Sequence, residues 1–253
     1  MKIAISGKGG VGKTLLASLL AKAFAGAGYR VLAIDADPDA NLAATLGFSH
    51  PEKITPISEM KELIEERTGA SPGKTAPYFK LNPKVSDLPE KYSQKKDNIS
   101  LMVMGQAKRG GTGCYCPENA LLKALMSHLL LGRDEAIVLD MEAGIEHLGR
   151  ATAQAVDKLI LVVEPGRRSV ETAQTIKKLA QDIGLENLAA VGNKIRGEAD
   201  KEFLRQLMPD FTFLGFIPYD PRVVDADLEG KSVLDSSLQV KSSVEEIVKA
   251  LLR

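Results

Sequence analysis

A chain of 253 residues with 44% hydrophobic content is long enough to bury one large core, so a single domain spanning 1–253 suffices. Lys plus Arg (33) equals Asp plus Glu (33), and this balance gives no reason to expect nucleic acid or anionic lipid as a partner. No apolar run approaches the ~20 residues of a membrane span, two cysteines cannot make a disulfide framework, and the chain opens directly into an apolar strand segment, so a cytoplasmic protein is expected.

In chain order, Ile3, Ala4 and Ile5 read as a buried parallel strand, and Leu15, Leu16, Leu19, Leu20, Ala23 and Phe24 recur at helical spacing. Between them lies Gly7-Lys-Gly-Gly-Val-Gly-Lys-Thr14, with Gly7, four residues, then Gly12-Lys13-Thr14, the spacing of a P-loop. Glycines let the backbone curl so that N–H groups converge on phosphate oxygens, and the following helix presents its positive end to the same anion. Gly9, Gly10, Val11, Gly12, Lys13, Thr14 and Leu15 are therefore candidate nucleotide ligands. Lys13 supplies a charge to the β and γ phosphates, and the Thr14 hydroxyl is a ligand for Mg²⁺.

A second strand, Arg30 to Ile34, runs into Asp35-Ala-Asp37-Pro38, placing carboxylates at the carboxyl end of a strand, where parallel sheets bind ligands. Residues 49–98 break the rhythm with one helix, Ile57 to Thr68, and scattered prolines, and read as a surface excursion. Order returns with strand Ile99 to Met104, a glycine-rich loop containing Cys114 and Cys116, helix Glu118 to Leu131, and strand Ala136 to Leu139 ending at Asp140. Strand Leu159 to Val163, helix Ser169 to Ile183, strand Ala189 to Gly192 ending at Asn193-Lys194, and strand Phe213 to Ile217 ending at Pro218-Tyr219 follow. A final helix, Val244 to Leu252, carries Ser243 and Glu246 as a capping box. Alternating strands and helices predict a doubly wound α/β fold around a mostly parallel sheet.

Lys8, inside the glycine loop, goes beyond a generic P-loop. Lys-Gly-Gly-x-Gly-Lys-Thr resembles the deviant Walker A ATPases, the family of MinD, ParA and the nitrogenase iron protein. The resemblance implies that Lys8 reaches across a dimer to the partner's nucleotide, that Asp37 is the switch I residue positioning the attacking water, and that Asp140 supports the Mg²⁺ shell with Gly144 sensing the γ-phosphate. Many relatives have proline two residues after that aspartate; this chain has Glu142. The segment Asn193-Lys194-Ile195-Arg196 lacks the final carboxylate with which an Asn-Lys-x-Asp loop accepts hydrogen bonds from guanine, which favours ATP over GTP. By resemblance, Asn193 and Lys194 bind the nucleotide, with Asn193 at the adenine edge and Pro218 and Tyr219 lining the base pocket.

Cys114-Tyr-Cys116 can present two thiolates to one ion in an extended segment, and two such pairs across a two-fold axis would make a four-sulfur site for Ni²⁺, Zn²⁺ or an iron–sulfur cluster. Together with Asp-Met-x-Ala-Gly-Ile-Glu-His-Leu at 140–148, it is similar to the CooC-type accessory ATPases that serve nickel insertion into carbon monoxide dehydrogenase, and to relatives acting on acetyl-CoA synthase. That resemblance implies an ATP-dependent homodimer carrying nickel or zinc to a nickel-enzyme client, with no nucleic-acid or membrane partner. The alternatives are a positioning ATPase of the ParA or MinD kind, and an iron–sulfur electron donor resembling the nitrogenase iron protein. His147, just beyond the switch segment, reads as an ordinary surface histidine.

Overall fold

The computed structural model describes residues 1–71, 78–105, 117–132, 135–145, 155–229 and 236–252. Among them eight strands form one sheet: β1 (Lys2–Gly7), β2 (Val31–Ala36), β3 (Gln94–Lys96), β4 (Ile99–Val103), β5 (Ala136–Met141), β6 (Lys158–Val163), β7 (Leu188–Ile195) and β8 (Phe213–Pro218). Their order across the sheet is β3-β4-β2-β5-β1-β6-β7-β8. Every neighbouring pair is parallel except β3 with β4. β1 is central because its residues are apolar on both faces: Ile3 and Ile5 point to one side and Ala4 to the other, all buried.

The helices are α1 (Lys13–Gly26), α2 (Leu42–Thr45), α3 (Lys61–Thr68), α4 (Leu88–Tyr92), α5 (Pro117–Gly132), α6 (Arg167–Asp182), α7 (Glu198–Leu207), α8 (Pro221–Leu228) and α9 (Leu238–Leu251). α1 and α9 cover one face of the sheet, where Phe24, Leu16, Leu20, Val244 and Ile247 pack on Ile3, Ile5, Val31 and Ala33. α3, α5, α6 and α7 cover the other, where Leu121, Leu125, Leu129 and Ile176 pack on Ala4, Leu32, Ile34 and Leu139. No helix among the described residues is long and apolar enough to cross a membrane.

The doubly wound parallel architecture is as expected; four local expectations are corrected. The final helix starts at Leu238, not Val244: Ser237 is its cap, its hydroxyl accepting from the Val240 N–H at 3.2 Å. Ser243 sits inside the helix, its hydroxyl donating to the Gln239 carbonyl. The first turn escaped notice because Leu238 is 81% exposed, leaving only Val240 to mark a buried face there. The helix expected over 57–68 begins with a separate 3₁₀ turn, Ile57–Glu59, and resumes at Lys61. Asn193 and Lys194 lie within β7 and not beyond its end. The excursion also contributes α4 and β3, and it is not merely superficial, since Ile57, Leu63, Ile64, Val85 and Leu88 belong to the core under α5.

Candidate functional site

The carboxyl ends of β1, β2, β5, β6 and β7 converge on the turn from β1 into α1. Three glycines of this turn have backbone angles that disfavour side chains: Gly7 (φ 146°), Gly10 (φ 77°) and Gly12 (φ 96°). A Cβ on Gly7 would run into the Val162 carbonyl of the neighbouring strand, and one on Gly12 into the Asn193 side chain. The loop can therefore lie close to β6 and β7 only as glycine. Gly9 and Gly10 are exposed, Val11 is fully buried, and Lys13, at the first turn of α1, is buried too, with Thr14 and Leu15 partly so.

Asp140 lies on β5 directly beside both Ile5 of β1 and Asp35 of β2. It is 1% exposed, and neither carboxylate oxygen has a hydrogen-bond partner among the described residues. Burial pushes its carboxyl up to about 7; the Thr14 hydroxyl and the Lys13 charge pull in the other direction, and Asp35 adds to the rise. The hydroxyl lies close enough to act on the carboxyl, yet no hydrogen bond of ordinary geometry joins them. An unpartnered buried carboxylate beside a hydroxyl, at the mouth of an anion cradle, is a donor set suited to a hard divalent cation.

Asp35, two residues before Asp37, is a site residue to which the sequence pattern assigns no role of its own. It is fully buried, and burial raises its carboxyl to about 6. Its two oxygens accept from the N–H groups of Asp37 (3.2 Å) and Leu42 (2.9 Å), and its carbonyl accepts from Met104 N–H at 2.8 Å. The loop carrying Asp37 is thus folded around the Asp35 carboxylate. Asp37 itself is half-buried, with one oxygen accepting from Asp39 N–H at 3.0 Å. The only signal in the sequence was a carboxylate ending an apolar strand.

Ser6, buried at the end of β1, donates to the Gly144 carbonyl at 2.8 Å and so fastens the segment after β5 to the strand feeding the P-loop. Gly144 itself adopts φ 154°. On the far side, Asn193 is buried and its amide donates to the Val11 carbonyl at 2.7 Å. Lys194 donates to the Gly10 carbonyl at 2.7 Å and pairs with Glu164 at 3.1 Å. Pro218 closes β8, and Tyr219 is exposed, its N–H donating to the Ile195 carbonyl at 2.9 Å. The structure therefore gathers Lys13, Thr14, Asp140, Asn193 and Lys194 around one loop, with Asp37 carried on the Asp35-bound turn beside it. Lys8 is half-buried within the loop. Cys114, Cys116 and His147 lie outside the described residues, and among the described ones no group of three His, Cys, Asp or Glu is placed to hold a metal.

Known proteins share this chain's sequence and fold. A CooC carbon monoxide dehydrogenase accessory protein from Rhodospirillum rubrum is 44% identical over 254 residues, covering 100% of this chain and 96% of that protein. An uncharacterised ATP-binding protein of Methanocaldococcus jannaschii is 47% identical over 257 residues, covering 100% and 98%. Among solved structures, the MinC:MinD cell division complex of Aquifex aeolicus matches with TM-score 0.71 at 23% identity over 99% of this chain and 94% of that one. A plasmid partition protein from Borrelia burgdorferi bound to AMPPNP matches with TM-score 0.72 at 17% identity over 99% and 97%. The family model for the CobQ/CobB/MinD/ParA nucleotide binding domain matches residues 2–233, and the chain belongs to that family.

Proposed function

We propose that this protein is an ATP-driven metallochaperone that supports nickel insertion into carbon monoxide dehydrogenase or acetyl-CoA synthase. The observation that carries the reading is the end-to-end 44% identity to a carbon monoxide dehydrogenase accessory protein. The P-loop ATPase unit spans the whole chain, with 49–98 as its cover. Cys114 and Cys116 of each protomer hold nickel, or zinc in competition, as cargo in an ATP-dependent homodimer. Neither nucleic acid nor membrane is a partner, and the protein works in the cytoplasm.

The residues of the cradle have distinct tasks in this reading. The loop N–H groups and Lys13 bind the β and γ phosphates, Lys8 reaches the partner's nucleotide, and Asp37 orients the attacking water. Thr14, with the unpartnered Asp140 behind it, would hold Mg²⁺, which supplies neutralisation of phosphate charge when bound. Asp35 keeps Asp37 in place through the backbone of its loop. Ser6 ties the segment at Gly144 to the P-loop strand, so a change at the γ-phosphate has a short covalent and hydrogen-bonded route to the end of β5.

The test is dimer fraction and metal per protomer, with and without a non-hydrolysable ATP analogue, in wild type, Lys8→Ala and Cys114→Ala. The reading requires one ion per dimer in wild type, loss of the nucleotide-dependent dimer in Lys8→Ala, and loss of metal in Cys114→Ala. Full metal stoichiometry in Cys114→Ala sinks it. A brown anaerobic preparation with a cluster spectrum would favour the electron-donor alternative, and ATP-dependent binding to DNA or liposomes the positioning one.

A further inference from the structure

The excursion at 49–98 contains one segment that holds apolar side chains out in water. Between Arg67 and Asp87 the sequence has three lysines, Lys74, Lys80 and Lys84, and no acidic residue, in a chain whose charges balance overall. Within that segment Tyr78 is 88% exposed and Leu81 55%. Lys80 and Lys84 are exposed beside them, and neither ammonium meets a carboxylate among the described residues. Apolar side chains scattered singly over a surface are ordinary; an aromatic and a leucine interleaved with two unpaired cations form a patch that asks for a partner.

This exposure is imposed by the backbone, which is pinned on both sides of Leu81. The Lys80 N–H donates to the Thr68 carbonyl at the end of α3, at 2.8 Å. Arg67 donates to the Lys84 carbonyl at 3.3 Å and to the two Asp87 oxygens at 3.1 and 2.8 Å. Lys91 also pairs with Asp87, and together with Arg67 it holds that carboxyl well below the usual carboxylate range, so the clasp stays ionised. Pro83 is buried, and Val85 and Leu88 belong to the core under α5. With its ends fixed in this way, the strip from Tyr78 to Lys84 presents its side chains in a set arrangement, which lowers the ordering cost of a contact.

We propose that Tyr78, Lys80, Leu81 and Lys84 form the docking strip for the client enzyme, matched by an acidic patch bordering an apolar hollow on that protein. The proposal rests on the client reading above. Charge complementarity selects this occupant. A second copy meeting the strip across a two-fold axis would set lysines against lysines. A sheet of anionic headgroups would meet, besides the lysines, the exposed Glu62, Glu65, Glu66 and Glu90 of the helices at either end of the strip, whereas a protein surface can carry acid opposite the strip alone.

The probes are nickel-free carbon monoxide dehydrogenase and, in parallel, acetyl-CoA synthase of the same organism. Calorimetry follows their binding to the full-length protein with a non-hydrolysable ATP analogue, at about 0.05 M and about 0.5 M salt. The variants are Tyr78→Ala combined with Leu81→Ala, Lys80→Glu, Lys84→Glu and, as a charge-matched control on the exposed side of α6, Lys178→Glu. All substituted side chains are exposed, so thermal midpoints should stay within about 2 °C of wild type and ATP affinity should be unchanged. Loss of the apolar pair should weaken client binding by at least about tenfold at both salt concentrations. Lys80→Glu and Lys84→Glu should each cost about tenfold at low salt and much less at high salt, with Lys178→Glu within about twofold of wild type.

Client binding unaltered by the strip substitutions, or weakened equally by Lys178→Glu, would overturn the docking strip while leaving the client reading in place. Failure of wild type to bind either enzyme would remove the client reading itself, and the strip's occupant with it. Loss of the nucleotide-dependent dimer in the strip variants, read by light scattering, would assign the strip to a second copy. Lysine-dependent binding of wild type to phosphatidylserine vesicles would assign it to lipid, and either result would overturn the proposal.

Discussion

Asp140→Asn should make the ligand-free protein more stable, and by an amount that depends on pH. The carboxyl is raised from 3.8 to about 7 in the folded state, so folding favours its protonated form. Below pH ~4 the group is neutral in both states and costs nothing; the penalty grows as pH rises and is complete once pH passes about 7. At pH 8 a shift of about three units corresponds to about 4 kcal/mol withheld from folding, and at pH 5 to about 2 kcal/mol. Asparagine removes this charge. With an unfolding entropy of about 2.1 cal/mol/K per residue over 253 residues, the midpoint should rise by about 8 °C at pH 8 and about 3 °C at pH 5. Thermal unfolding of wild type and variant at both values, without nucleotide or Mg²⁺, reads this directly. Mg·ATP should raise the wild-type midpoint by more than that of the variant, because the cation that compensates the carboxylate has lost that partner while the loop, Lys13 and Thr14 remain. A variant less stable than wild type at pH 8, or a gap that does not shrink at pH 5, would refute the account of Asp140 as a charge held in reserve for a cation.

Gly12→Ala combines a backbone angle of 96° with a collision against Asn193, so calorimetric ATP affinity should fall by more than about tenfold. Ser237→Ala should cost about 1 kcal/mol in urea denaturation by removing the cap of α9, whereas Ser243→Ala, half-buried inside the same helix and bonded only to its Gln239 carbonyl, should be near neutral; the reverse ranking would return the helix start to Val244. Lys8→Ala should leave nucleotide binding to the monomer measurable while abolishing the nucleotide-dependent dimer in light scattering.

The sheet was legible because parallel strands buried on both faces must be apolar throughout, so segments such as Ile3–Ile5, Val31–Ile34 and Leu159–Val163 stand out from helices that alternate every three to four residues. The short elements of the excursion were not, since α4 and β3 together carry only eight residues and β3 has no apolar side chain. α7 was missed for a related reason: Leu204 is its one fully buried residue, too little for a periodic stripe. The P-loop was legible because its constraint is local, each glycine answering to a backbone angle within one turn. The bond from Asn193 onto that loop could not be read the same way. Asn193 and Val11 are 182 residues apart, and they meet only because β1 and β7 flank β6 in the sheet order.

That distance also changes what the residue types imply. A sequence motif says which side chains are able to bind a nucleotide; the fold says which of their donors are already engaged. One N–H of the Asn193 amide is engaged by the Val11 carbonyl and two N–H groups of the Lys194 ammonium by Gly10 and Glu164, which leaves one donor on each and the Asn193 amide oxygen for other contacts. Asp140 is the opposite case, a residue whose oxygens have no partner among the described residues and whose ionised form stays costly until something positively charged completes it. The engaged donors hold the backbone of the cradle in shape and the unengaged acceptor marks where charge is missing. A site that is rigid on its β7 side and electrostatically incomplete on its β5 side gains most from a ligand that brings phosphate to the first and a divalent cation to the second, which is the composition of Mg·ATP.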